Sequence, residues 1–234
     1  MWANNGTGGW VCTRSITWAR SESSARSYAL GDIGPGGGLV FLISAGLTYE
    51  MAPKAWGINE TTSVDWATNT AKCYATGLTT ANQDCQLNNL YPGTAGEQTA
   101  STAAASAVGM GSANNDAIIA RMNAGSVASG DYAAGAARAY PGGGYTDWFL
   151  PSKDELNAMC NYSRNPSAPA LPTVPCTGLQ NGPFAAGTYG FANQIYWSSS
   201  EGSSGGAWGQ YLFDATQLNI GKNLPQWVRP IRAF

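Results

Sequence analysis

The sequence predicts an α+β domain with long irregular loops, and three observations carry that reading. Short β-branched and aromatic runs bounded by Gly, Pro and Asn occur at Gly31–Ile43 and again between Ile195 and Phe234. Two segments, Asn114–Asn123 and the one opening at Ser152, combine helix start signals with apolar residues at helical spacing. Only 11% of the 234 residues are charged, and 30 Gly stand among nine Trp and eleven Tyr, a composition that points to an extracellular or virion protein rather than a cytosolic enzyme.

Residues 1–30 are polar and show no period, which predicts an N-terminal arm or linker ahead of one domain over 31–234. "GDIGPGGGLVFLI" then predicts a buried strand entered from a tight turn. A phosphate-cradling loop would need a helix after the glycines and a closing Lys-Ser/Thr; a strand follows here, so the glycines serve positive-φ turns and close backbone packing. Short strand-like pieces are expected between Tyr49 and Tyr91, and alternating small residues fill 93–111.

The first helix is expected over Asn114–Asn123, with Ser112 as cap, Ile118, Ile119 and Met122 on one face and Gly125 as the stop. In "YTDWFLPSKDELNAMC", Ser152-x-x-Glu155 is a capping box, and Asp154 with Glu155 sits at the positive end of the helix dipole. Leu156, Met159 and Cys160 fall on one face, directed to the core. The acidic cluster therefore starts a helix; a catalytic carboxylate pair would need a second acid placed across a cleft.

The tail reads as strands at Ile195–Ser198, Trp208–Phe213 and Trp227–Phe234, forming a three-stranded antiparallel unit joined by a small-residue loop and a turn. Ser198, Ser199, Ser200, Ser203 and Ser204 lie in that loop, and the chain has no histidine to activate a serine.

The same lack of histidine removes the commonest general base and transition-metal ligand. A net charge of −2 with scattered Lys and Arg excludes a polyanion-binding surface, so no nucleic-acid partner is expected. The longest apolar run, Leu39–Ile43, is far too short to span a bilayer, so no membrane insertion is expected. Met1–Asn5 lacks the features of a secretory signal; export would follow removal of an upstream segment or release within a phage particle. Five cysteines without a CxxC spacing leave two local pairs, Cys73 with Cys85 and Cys160 with Cys176, each able to staple a loop; buried free thiols are the alternative, and Cys12 is left over.

"DWFLPSKDELNAMC", "YWSSSE", "AWGQYLFDATQ" and "WVRPIRAF" together resemble the bacterial domain family typified by the C-terminal domain of the Legionella collagen-like adhesin. The resemblance covers residues 140–234, and "GDIGPGGGLVFLI" with "YEMAPKAWG" is similar to the opening of longer members. It implies a C-type-lectin-like fold: a twisted antiparallel sheet, two flanking helices and long irregular loops, used for adhesion rather than catalysis. The chain departs from the family in lacking basic surface for sulfated polysaccharides. It also lacks the Glu-Pro-Asn and Trp-Asn-Asp triplets of calcium-dependent lectins, so no cofactor is expected and calcium has no motif behind it.

The leading expectation is an extracellular, cell-surface or virion-displayed module, an adhesin or receptor-binding protein, recognising a glycan or protein receptor through its C-terminal loops. Its candidate contacts are Glu201, Trp208, Gln210, Tyr211, Asp214, Gln217, Asn219, Lys222, Asn223 and Trp227, aromatic platforms with directional hydrogen-bonding groups between them. Trp197, Trp208 and Trp227 equally fit a core role. Folds of this kind also serve as variable proteins of diversity-generating retroelements, in which case sister copies would differ between Ser199 and Gln226. The alternative is a structural subunit of a fibre, sheath or phage tail acting by self-association, as a trimer for example. An enzyme akin to formylglycine-generating relatives would need a close pair of reduced cysteines.

Overall fold

A computed structural model describes residues 2–4, 10–12, 26–57, 63–68, 103–124 and 127–234. The fold is α+β with small antiparallel sheets. Strands β1 (Trp2–Asn4) and β2 (Trp10–Cys12) form a ribbon within the expected arm. Strands β3 (Leu39–Ser44) and β4 (Leu47–Met51) form a hairpin that β8 (Ile231–Ala233) joins, in the order β3-β4-β8. Strands β5 (Ile195–Ser203), β6 (Gly206–Tyr211) and β7 (Gln217–Gly221) form the second three-stranded sheet. Between these stretches lie helices α1 (Ala103–Ser106), α2 (Gly111–Ala124), α3 (Ala133–Arg138), α4 (Lys153–Arg164) and α5 (Gly182–Ala186). The expected Cys73–Cys85 staple, and the strand-like and small-residue pieces over 69–102, lie outside the described residues.

The tail differs from its expected pairing. The third strand of the tail sheet is β7, expected to be a turn, and the final strand crosses to β4 in the other sheet. Pro230 supplies no N–H for a ladder, so regular pairing begins at Ile231. The residues before it form a seam: Gln226 pairs with Val64, Trp227 with Tyr196, and Ile231 with Phe149 as well as with Met51. The serine run also differs, because β5 continues to Ser203 and buries Ser198, Ser199 and Ser200 within the strand.

Two cores flank the seam. Trp66, Trp148, Trp197, Leu150, Ile118 and Met122 form one, against the alanines of α3. Phe41, Met51, Phe149, Leu156, Met159 and Tyr196 form the other, around α4. Strand alternation explains how consecutive residues divide: Trp148 and Leu150 enter the first core and Phe149 the second, as do Trp197 and Tyr196 respectively. Each buried indole N–H reaches a backbone carbonyl, distant in sequence for Trp66 to Ser198 (2.7 Å), Trp197 to Val64 (2.9 Å) and Trp56 to Val228 (3.1 Å), and nearby for Trp148 to Gly142 (3.0 Å).

The glycine-rich turn does receive an anion, but the anion is the chain's own. Gly36 and Gly38 donate their N–H groups to the buried carboxylate of Glu50, at 3.0 and 2.9 Å. A Cβ at Gly36 would stand 2.5 Å from the Trp148 ring and 2.7 Å from Glu50 Oε1, and Gly37 has φ +76, so glycine is required at both.

The capping box at α4 forms as expected: Glu155 N–H donates to Ser152 Oγ and Ser152 N–H to Glu155 Oε2, at 3.3 and 2.7 Å. Helix α2 begins three residues before the expected start and carries Ser112 inside it. Gly109, just ahead of that helix, donates its N–H to the same Glu155 carboxylate at 2.8 Å, so one side chain ties both helix starts. The Cys160–Cys176 disulfide closes a 16-residue separation, and Asn157 and Asn161 pin the loop within it through the carbonyls of Pro172, Val174 and Leu171. Reduction of this bond should lower unfolding free energy by about 3 kcal/mol. Urea denaturation of the Cys160→Ala/Cys176→Ala double variant beside the native chain measures it.

Candidate functional site

Pairing across β6 and β7 sets Trp208 opposite Asn219 and Gln210 opposite Gln217, on the face away from Ala207 and Ile220, which enter the first core. The start of α4 covers part of that outer face. Lys153 Nζ lies 3.8 Å over the Trp208 ring, a cation–π contact, and leaves the ring partly exposed. Deeper in, Gln210 Nε2 donates to Asn157 Oδ1 (3.2 Å) and to Ala215 O (3.1 Å). Asn219 is exposed and lies against Gly202 and Gly206, where a Cβ would come within 2.6 and 2.2 Å of its side chain.

The turn after β6 bounds a cleft of about 270 Å³ lined by Asn157, Pro175, Cys176, Asp214, Thr216 and Gln217, among others. Ala215 occupies the left-handed region at φ +72, and Asp214 Oδ1 accepts the Thr216 N–H at 3.0 Å. The Thr216 backbone and hydroxyl donors hold the Asp214 carboxyl below the usual carboxylate range. Burial lowers the Arg164 guanidinium, and Asp214 opposes that shift.

The structure thus gathers Trp208, Asp214, Gln217 and Asn219 on one side of the tail sheet. Tyr211 belongs to the opposite face, paired with Ile195 and beside Phe213. Asn223 is exposed in the turn after β7, and Trp227 lines a separate cavity of about 240 Å³ with Lys54 and Phe191. Glu201, Gln210 and Lys222 are a correction to the expected contact set, because all three are buried. Glu201 and Lys222 form an ion pair, with Lys222 also bonded to Ser204 O (2.8 Å) and set 4.9 Å from the Trp66 ring centre. A buried ammonium needs such a partner, so Lys222 serves the interior.

Sequence reasoning missed Lys153 and Asn157 as parts of this surface. Their signal was absorbed by the helix start: both read as ordinary helix residues until α4 is docked on β6. The triple serine is likewise internal. Ser198 Oγ donates to Trp208 O (2.7 Å), Ser199 Oγ accepts from Asn114 Nδ2 (3.2 Å), and Ser200 Oγ donates to Ala105 O and accepts from Lys153 N–H (3.1 and 3.0 Å).

With this geometry in place, comparison with known proteins adds no relative: no family model matches the chain, and no curated protein matches it. Among the described residues no helix is long and apolar enough to cross a membrane, and no group of three or more metal-ligating side chains stands together.

Burial pushes the Glu155 carboxyl up to about 7 from 4.5, against the lowering effect of the N–H groups of Ser152, Gly109 and Gly111. A folded-state value above the unfolded one means that the folded chain holds more protons between those values, so its stability falls as pH rises from 4.5 to about 7. Urea titrations across that window should show a decline of roughly 3 kcal/mol from this group. Glu155→Gln, less stable throughout, should lack that component. For the ion pair, Lys222→Met should cost about 3–5 kcal/mol, and adding Glu201→Leu should recover most of it, read from a double-mutant cycle.

Proposed function

We propose that this chain is a non-catalytic binding module of C-type-lectin-like fold, displayed outside the cell or on a virion, that engages a glycan or protein receptor through the outer face of its tail sheet. One observation carries the reading: the partly exposed Trp208 ring, backed by Lys153, lies opposite exposed Asn219 on the strand pair that brings Asp214 of its turn and Gln217 of β7 to a cleft. An aromatic platform next to amide and carboxylate groups suits the apolar face and hydroxyl edge of a sugar, or an anchor residue of a protein. The resemblance to the Legionella collagen-like adhesin domain supports this reading through its motifs. Three of the four motifs cap α4, fill β5 and hold the seam, and the fourth, "AWGQYLFDATQ", carries Trp208 and Asp214 of the proposed site. The Cys160–Cys176 bond withdraws that pair from thiol chemistry.

A structural subunit is the second reading, favoured by large exposed apolar side chains, with Leu171 at 70%, Leu179 at 68% and Leu224 at 51% exposure. Light scattering on the purified chain separates the two, since a monomer at high concentration sinks the assembly reading. A glycan array and a cell-surface pull-down test the first. Trp208→Ala should weaken specific binding by about thirtyfold or more, while Tyr211→Ala, on the other face, should leave it unchanged. Loss in the second variant but not the first would overturn the site.

A further inference from the structure

We propose that the groove between the C-terminal end of α4 and the 181–189 segment is a second binding site, for an uncharged saccharide. The groove has a volume of about 470 Å³, within the range of small-molecule sites. The partly exposed Phe184 and Tyr189 supply aromatic walls over the buried Tyr162, and Ser167, Asn181 and Thr188 bring hydroxyl and amide groups to the same lining.

The groove is held in shape before any ligand arrives. Tyr162 and Phe184 meet edge to face at 5.8 Å between ring centres, and Phe184 packs on Phe191 at 6.0 Å. Asn181 Oδ1 accepts the Phe184 N–H at 3.3 Å, while Asn181 N–H donates to Ser163 O at 2.8 Å, which ties the segment to α4. Tyr189 donates its hydroxyl to Gly37 O at 2.8 Å, and Gln180 exchanges two bonds of 2.9 Å with the backbone of Phe191. Such preorganisation lowers the ordering cost of binding.

The lining chemistry selects the ligand class. None of the lining residues is charged, so an anionic or cationic ligand would lose its hydration without gaining a partner. A saccharide ring has an apolar C–H face for the aromatic walls and hydroxyls for Ser167, Asn181 and Thr188. A proline-rich peptide would satisfy the rings but offers carbonyl acceptors alone to those groups. The site is separate from the Trp208 surface: Lys153 marks one end of α4 and Tyr162 lies near the other, roughly 14 Å away at 1.5 Å per residue.

The test is calorimetric titration of the full chain with cellotetraose, maltotetraose, mannotetraose and chitotetraose, and with decaproline as the peptide probe. At least one tetrasaccharide should bind with Kd of about 1 mM or tighter. Phe184→Ala should weaken it by about tenfold or more, and Thr188→Arg, which fills the groove from an exposed position, should abolish it with the near-ultraviolet circular dichroism unchanged. Trp208→Ala should leave it within about twofold. Absence of binding by all four sugars overturns the proposal, as does decaproline binding that Thr188→Arg blocks. Saccharide binding lost in Trp208→Ala but kept in Thr188→Arg also overturns it, and assigns the sugar to the tail sheet instead.

Discussion

A carboxylate removed from water must be met by donors, and the buried Glu50 carboxylate is met from two distant parts of the chain at once. Gly36 and Gly38 give it their N–H groups, and Arg232 gives it Nη1 at 3.1 Å. Arg232 in turn bonds Asp147 at 2.6 Å and stacks 3.6 Å over the Tyr145 ring. The glycine turn, the approach to α4 and the last strand therefore close around one charge. An assembly of this kind is satisfied only when complete, which favours a single arrangement of these segments over partly ordered ones.

The second arginine of the seam works in a complementary way. Arg229 is buried and donates to the carbonyls of Ala52, Tyr189 and Gly190, with its guanidinium 4.5 Å from the Phe191 ring centre. Planar guanidinium groups suit this role because one head can serve several fixed acceptors and still stack on a ring. Val228-Arg229-Pro230-Ile231-Arg232 thus fastens three otherwise separate backbones, those of β4, of the 189–191 segment and of the approach to α4.

This internal use of polar groups shapes what the surface offers. Glu155, Glu201, Lys222 and Ser198–Ser200 of β5 are all engaged inside: Glu155 joins two helix starts, the Glu201–Lys222 pair and Ser198 join strand segments, and Ser199 and Ser200 hold helices to β5. The groups left at the surface of the tail sheet are a ring, amides and a turn carboxylate, and those at the far end of α4 are rings and hydroxyls. Helix α4 sets the separation of the two sets.

Local chemistry was legible in the sequence by itself: the Ser152–Glu155 capping box, the core-facing Leu156, Met159 and Cys160 of α4, a strand at Leu39–Ile43 whose first three residues are buried while Ile43 is exposed, the Cys160–Cys176 pair and the α+β class. Each depends on residues close enough along the chain for their spacing to carry the signal. The tertiary structure alone decided that Glu201, Gln210 and Lys222 face inward, that the serine run belongs to a strand, and that the last strand joins β4 rather than β6. Alternation in a strand shows that residues share a face but not which face is covered, and a buried cation gives no local sign of the distant carboxylate that permits it. Only packing α4 and the seam against the sheets supplies that information.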